Sequence, residues 1–298
     1  MIETLEDTSP IRFSVSLNDR AREDSARGGL AGWRWPNRAK PPLLFLHATG
    51  FCASAYRQLL TPLQHSFDIY ALDLRGHGRS SLDADAGALR SWRAYVDDIS
   101  AFLDQQQKDG WVLSGHSLGA ATALIASVGR RDVSALKLIE PVAVPRWLSL
   151  LAKTPLWPPL AQRMRLVQLA ARRRNGWPTR EEVLASYARK PLFKAWAPGV
   201  LEDYLEDGLK EVEGALRLSC APAWEAATFA AQGNDFWPAA KTAPAPVKIF
   251  AAGLETSTLS AAARRRFEQL GATLVVNRDL GHLAPMQNPA EMARFLAN

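Results

Sequence analysis

The chain has 298 residues, 47% of them hydrophobic and 22% charged, a size and balance that suit a globular protein with one large core or two ordinary domains. No run of about 18 uncharged apolar residues occurs, so no segment reads as a membrane span. Two cysteines, Cys52 and Cys220, are too few for a disulfide framework or a zinc site, and the formal charge of +6 comes with no nucleic-acid recognition motif.

The opening MIETLEDTSP lacks the basic and apolar regions of a secretory signal, which predicts a cytoplasmic chain with two free thiols. A hairpin is expected next, over about Ile11–Leu17 and Leu30–Trp35, followed by the buried run Leu43–His47. Then come a helix from about Ser54, the strand Asp68–Leu72, a helix around Trp92–Gln107, the strand Trp111–Ser114, a helix from Ser117 to about Val128, and the strand Ala135–Ile139. Short apolar runs flanked by helices are what a parallel sheet covered on both faces requires.

From about Val142 to Ala240 the alternation stops. The segment reads as helical and irregular, rich in Trp, Pro and Arg, with no convincing strand. Much of the positive charge sits here: Arg163, Arg165, Arg172, Arg173, Arg174, Arg180, Arg189 and Lys190. A solvated helix face is the ordinary meaning of such a run; an anionic substrate or a membrane surface is the alternative. Trp147, Trp157, Trp177, Trp196, Trp224 and Trp237 supply area for a core of its own and for an apolar pocket. Glu202, Asp203, Glu206 and Asp207 read as solvent-facing partners of nearby cations. Alternation resumes with the strand Val247–Ala251, a helix around Leu259–Leu270, the strand Thr273–Val276 and a last helix near Pro289–Leu296. The chain thus divides into residues 1–141 and 241–298, one α/β core, and residues 142–240, a helical insertion after the sixth strand.

Gly115-His116-Ser117-Leu118-Gly119 matches G-x-S-x-G between an apolar strand and a small-residue helix. A sharp turn there forces the serine into a strained conformation above the sheet, at the positive end of a helix, which makes Ser117 the candidate nucleophile. The loop His47-Ala48-Thr49-Gly50-Phe51 follows a buried strand, so the N–H groups of Thr49 and Leu118 are the candidate oxyanion donors, with His47 hydrogen-bonding the loop into shape. His282, in Asp279-Leu280-Gly281-His282, follows the last strand and can reach across to the serine. His65 falls at a helix end, and His47, His77 and His116 have structural readings, so His282 is the candidate general base.

These motifs resemble the α/β-hydrolase superfamily, and Asp73-Leu74-Arg75-Gly76-His77-Gly78-Arg79-Ser80 is similar to its D-x-R-G-x-G-x-S loop. The resemblance covers nearly the whole chain. It implies a mostly parallel eight-stranded sheet with helices on both faces, a cap formed by the insertion, and a serine hydrolase of the esterase-like branch. Two positions depart from the pattern. Ala48 stands where many members have Gly, and Thr256 stands where most have the acid. Glu140, at the tip of the sixth strand before Pro141, and Glu255, one residue before Thr256, are the two candidate acids, with Glu140 favoured; a His–Ser pair without an acid is the third alternative. A small-molecule ester is the expected substrate, with no cofactor, no metal and no nucleic acid; the oligomeric state is open. Lactone, thioester, amide or carbon–carbon bond hydrolysis would use a similar constellation, and a non-catalytic ligand-binding descendant is the alternative from another class.

Overall fold

The computed structural model describes residues 9–17 and 28–298; residues 1–8, on which most of the reading of the N-terminus rests, lie outside the described residues. The strands in chain order are β1 Ile11–Ser16, β2 Gly29–Trp35, β3 Pro42–Leu46, β4 Asp68–Asp73, β5 Trp111–His116, β6 Val133–Ile139, β7 Leu209–Val212, β8 Ala215–Leu218, β9 Val247–Ala251 and β10 Thr273–Val276. Eight form one sheet in the order β1-β2-β4-β3-β5-β6-β9-β10. From β4 through β10 all pairings are parallel; β1 and β2 join antiparallel at one edge.

Every residue of β3, β4 and β5 is buried, because the pleat sends successive side chains into two separate cores. Leu44 and Leu46 join one cluster with Phe102, Leu118 and Phe267, from the helices Arg93–Gln106, Leu118–Ala126 and Ala261–Gln269. Leu43 and Phe45 join the other with Leu59 and Phe295, from the helices Arg57–Leu60 and Pro289–Ala297. Each fully buried large apolar side chain contributes roughly 1.5–3 kcal/mol, so this double core fixes the central strands and hence the loops at their C-terminal ends.

The segment between β6 and β9 is mostly short helices, and it corrects the expectation of no strand: β7 and β8 form an antiparallel hairpin there, with Trp177 bridged to Leu216. Trp177, Tyr187, Trp196 and Tyr204 pack into the same cluster as the sheet residues Trp33 and Phe45, so these aromatics are continuous with the main core. Trp147 is exposed. Asp207 also departs from the solvent-facing reading. It is buried, pairs with Arg12 at 2.5 Å and accepts from the Trp33 indole N–H at 2.8 Å. Both cysteines are free and buried. Among the described residues no helix is long and apolar enough to cross a membrane.

Candidate active site

Strand β5 ends at His116 and the helix Leu118–Ala126 begins two residues later, so Ser117 makes the whole turn, at φ 56° and ψ −113°. A non-glycine residue in that region costs roughly 1–3 kcal/mol. The flanking glycines make the turn possible. A Cβ on Gly119 would stand 2.1 Å from the carbonyl oxygen of Leu46, and one on Gly115 would stand 2.5 Å from the Gly119 backbone. The turn is held by the Ser117 N–H donating to the carbonyl of Ile139 at 3.0 Å.

His282 lies in the loop after β10. Its Nε2 is 3.1 Å from Ser117 Oγ, and its Nδ1 is 3.2 Å from Glu140 Oε2. Glu140 follows β6 at φ 47° and is fully buried. Its carboxylate also accepts from the Ala252 N–H at 2.7 Å, Ser257 Oγ at 2.7 Å and the Thr258 N–H at 2.9 Å. Burial works to raise its pKa, but hydrogen bonds from His282, Ser257 and Ala252 outweigh burial and hold the carboxyl below its ordinary value. An ionised Glu140 can only accept, so Nδ1 of His282 carries the proton and Nε2 is left to accept from the serine hydroxyl. Glu255 is exposed and makes no hydrogen bond to His282; Thr256 is exposed too.

Among the hydrogen bonds of the described residues, the Thr49 and Leu118 amides have no acceptor in the protein, which leaves them available to a ligand. The loop that carries Thr49 is held residue by residue. Ala48 donates through its N–H to Tyr56 Oη at 3.1 Å, and its carbonyl accepts from His47 Nδ1 at 2.7 Å. Gly50 donates to His77 Nε2 at 3.0 Å, and its carbonyl accepts from the Tyr204 hydroxyl at 3.2 Å. These imidazoles are kept neutral. Burial, with the charge of Arg173 adding to it, lowers His77 to about 4, while burial and the neighbouring His282 lower His116 to about 3. Burial and the neighbouring His77 put His47 well below its ordinary value.

A cavity of about 940 Å³ opens before Ser117. It is lined by the Thr49 loop, Ser117 and His282 together with Leu169, Phe193, Trp196 and Phe229 from the segment between β6 and β9. Arg173 also lines it, paired with Glu225 at 2.6 Å; the solvated-face reading of the arginine run therefore fails at this residue. His77 and Glu225 were not legible as site residues, since each reaches the site from an element remote in sequence, and Tyr56, close to Ala48 in the chain, carries no local signal of its hydrogen bond to the loop. The nearest signal was the D-x-R-G-x-G-x-S loop, which carries His77.

The chain belongs to the α/β hydrolase family, whose family model matches residues 43–295. It is 27% identical over 240 residues to 2-(acetamidomethylene)succinate hydrolase of Mesorhizobium japonicum, which covers 79% of this chain and 78% of that protein. It is 40% identical over 82 residues to N-formylmaleamate deformylase of Pseudomonas putida, covering 26% of this chain and 29% of that one. Other curated relatives, among them a strigolactone esterase of Pisum sativum, are likewise matched over 40% of their length or less. The fold is shared with the crystal structure of E-2-(acetamidomethylene)succinate hydrolase, at TM-score 0.76, 22% identity and coverage of 97% and 98% of the two chains. It is shared too with a thioesterase domain of the curacin biosynthetic pathway, at TM-score 0.75, 14% identity and coverage of 97% and 100%.

Proposed function

We propose that the protein is a serine hydrolase that cleaves an ester-type acyl bond of a small, largely apolar molecule through an acyl-enzyme intermediate. The observation that carries this reading is the unbroken chain from Ser117 Oγ through His282 to Glu140, with contacts of 3.1 and 3.2 Å. Ser117 Oγ attacks the carbonyl carbon as its proton passes to His282 Nε2, and the Glu140 carboxylate stabilises the imidazolium. The carbonyl oxygen, now negative, takes the N–H groups of Thr49 and Leu118. Collapse of the tetrahedral intermediate expels the leaving group, which takes the proton back from His282. Water then enters by the same steps in reverse order and frees the acid and the serine.

The segment over residues 142–240 serves as a cap that closes the cavity and selects the substrate. Hydrolysis of an amide is the second reading, favoured by two relatives whose names carry an acetamido group and a maleamate; carbon–carbon, lactone and thioester hydrolysis fit the same constellation.

Labelling by a fluorophosphonate probe tests the reading, because such probes need an activated serine. The expected result is one label per chain, on Ser117, abolished in Ser117→Ala, together with release of p-nitrophenol from a short-chain ester. A chain that takes no label and leaves a panel of esters, thioesters and amides intact would return the fold to a ligand-binding role.

A further inference from the structure

We propose that the substrate carries a carboxylate only a few bonds from its scissile carbonyl, and that Arg173 and Lys190 receive it. The inference rests on the serine hydrolase reading and names the substrate class of that same cavity.

The cavity is largely apolar, yet one side of it collects cations and hydrogen-bond donors. Arg173, Lys190 and Tyr187 all line it, and both cations meet on the tyrosine. Lys190 Nζ stands 4.4 Å from the Tyr187 ring centroid, and Arg173 Nη2 donates to the Tyr187 hydroxyl at 3.1 Å. Glu225 is the one carboxylate among the described residues of the lining, and it pairs with Arg173 through Nη1. Nη2 is left with two neutral oxygens, Tyr187 Oη and, at 3.4 Å, Tyr204 Oη. Lys190 has no carboxylate within ion-pair distance among the described residues. The Tyr187 hydroxyl accepts from Arg173, and its own proton has no acceptor among the described residues.

Two positive charges, one negative charge and an uncommitted hydroxyl proton leave a surplus of one positive charge where the part-buried Arg173 and buried Tyr187 meet the exposed Lys190 at the cavity wall. The two cations also disfavour each other: burial and then the charges of Arg173 and Arg174 lower Lys190. A carboxylate satisfies all three surplus features at once, since it accepts several hydrogen bonds and cancels the excess charge.

The place of the pair sets the length of the substrate. A Cβ on Gly50 would stand 3.3 Å from Arg173 Nη1 and 2.6 Å from Glu225 Oε1. Gly50 follows Thr49, the candidate oxyanion donor, and consecutive Cα atoms are about 3.8 Å apart. The guanidinium therefore sits beside the loop that would hold the carbonyl oxygen, on the cavity side. A short spacer between carbonyl and carboxylate spans that separation.

Pairs of esters matched in shape provide the test. On the acyl side these are ethyl hemisuccinate, whose alkyl leaving group is not expelled by the neighbouring carboxylate, and ethyl 4-methylpentanoate; on the leaving-group side, acetoxyacetate and acetoxyacetamide. The acid of at least one pair is expected to have the higher kcat/KM by about 10-fold or more, with the preference shrinking as salt is raised. Lys190→Met, at an exposed position, is expected to cut that preference several-fold. The double variant Arg173→Gln, Glu225→Gln removes both charges of the ion pair together and is expected to abolish it. Equal rates within both pairs, faster neutral esters, or a preference that neither variant changes would overturn the inference. Failure of the underlying reading looks different: Ser117 would take no fluorophosphonate and no ester of either pair would be cleaved, and both proposals would fall together.

Discussion

The imidazole of His116 donates through Nε2 to the backbone carbonyl oxygen of His282 at 2.8 Å. Because a carbonyl only accepts, the direction of the whole chain of bonds is determined. Nδ1 of His116 must accept, so the Tyr56 hydroxyl 2.8 Å away donates to it, and Tyr56 Oη in turn accepts from the Ala48 N–H. The candidate base and the loop of the candidate oxyanion donor are thus fastened to each other beneath Ser117. Every member of the chain is neutral, in keeping with the low pKa of His116, about 3, caused by burial and the nearby His282. Tyr56→Phe keeps the ring and removes the link. It orphans the Ala48 amide and His116 Nδ1, at a cost of about 1–3 kcal/mol. We expect kcat to fall by up to about 100-fold through misplacement of the reacting groups, with KM little changed and fluorophosphonate labelling slowed in proportion. A variant that loses thermal stability but labels at the wild-type rate would reduce the link to a packing feature.

Glu140 and Glu255 make opposite predictions. Glu140→Gln removes the charge facing Nδ1 of His282, and its amide can present an N–H where an acceptor is required. The expected loss in kcat is about 10³- to 10⁴-fold, the size seen when a triad acid becomes an amide. Glu255→Gln changes an exposed side chain with no bond to His282, and kcat should stay within about 2-fold. Steady-state hydrolysis of a short-chain ester by the two variants decides the matter; the reverse ranking would move the acid to the loop after β9.

The sheet was legible because each central strand is a short apolar run between helices, and the order of such runs in the chain is close to their order in space. Ser117 was legible because a strand, two glycines and a small-residue helix surround it. Glu140 was legible only by position: Pro141 ends the strand after it, and its positive φ leaves no sequence signature. The hairpin β7–β8 escaped because its turn, Glu213-Gly214, has φ of 53° and 74°, the two positive values of a two-residue type I′ turn, and glutamate is a poor marker of that turn. Its strands, Leu-Lys-Glu-Val and Ala-Leu-Arg-Leu, are too short and too charged to stand out. The buried side chain of Asp207 depends on Arg12 and Trp33, which lie more than 170 positions away, beyond any local pattern.

Gly119, two residues after Ser117, is a close-approach position and can be tested against a neutral one. In Gly119→Ala the new methyl carbon would meet the Leu46 carbonyl oxygen at 2.1 Å, and neither the strand nor the helix can retreat without unpacking a core. We expect a loss of about 3 kcal/mol or an insoluble chain. Gly176→Ala adds the same methyl where nothing lies within 4 Å and the backbone is not left-handed, so stability should hold or rise by about 0.4–1 kcal/mol. Urea unfolding of the two variants gives the comparison, and equal midpoints would mean that the turn is more plastic than its packing implies.

Acid should destabilise the protein through histidines that the native state keeps neutral. Burial lowers His77 to about 4 and His116 to about 3, and puts His47 well below its ordinary value. In the unfolded chain all three titrate near about 6.5. As the pH falls through that value, the unfolded state takes protons that the native state refuses, so the stability these groups contribute is complete above about pH 6.5 and is lost on the way down to about 4. Asp73 acts in the opposite sense. Burial raises its carboxyl to about 7, so between roughly pH 7 and 4 the native state holds one proton that the unfolded state lacks. The three imidazoles outnumber this carboxyl, so together these four groups take up protons on unfolding and the stability they contribute falls as the pH is lowered. His77→Gln removes one of the three while keeping an acceptor for the Gly50 N–H, and should flatten the slope by about 1.4 kcal/mol per unit. Equilibrium unfolding measured every half unit from pH 8 to 4 checks both the sign and the difference; a stability that stays flat across that range would mean that these imidazoles exchange protons freely in the folded protein.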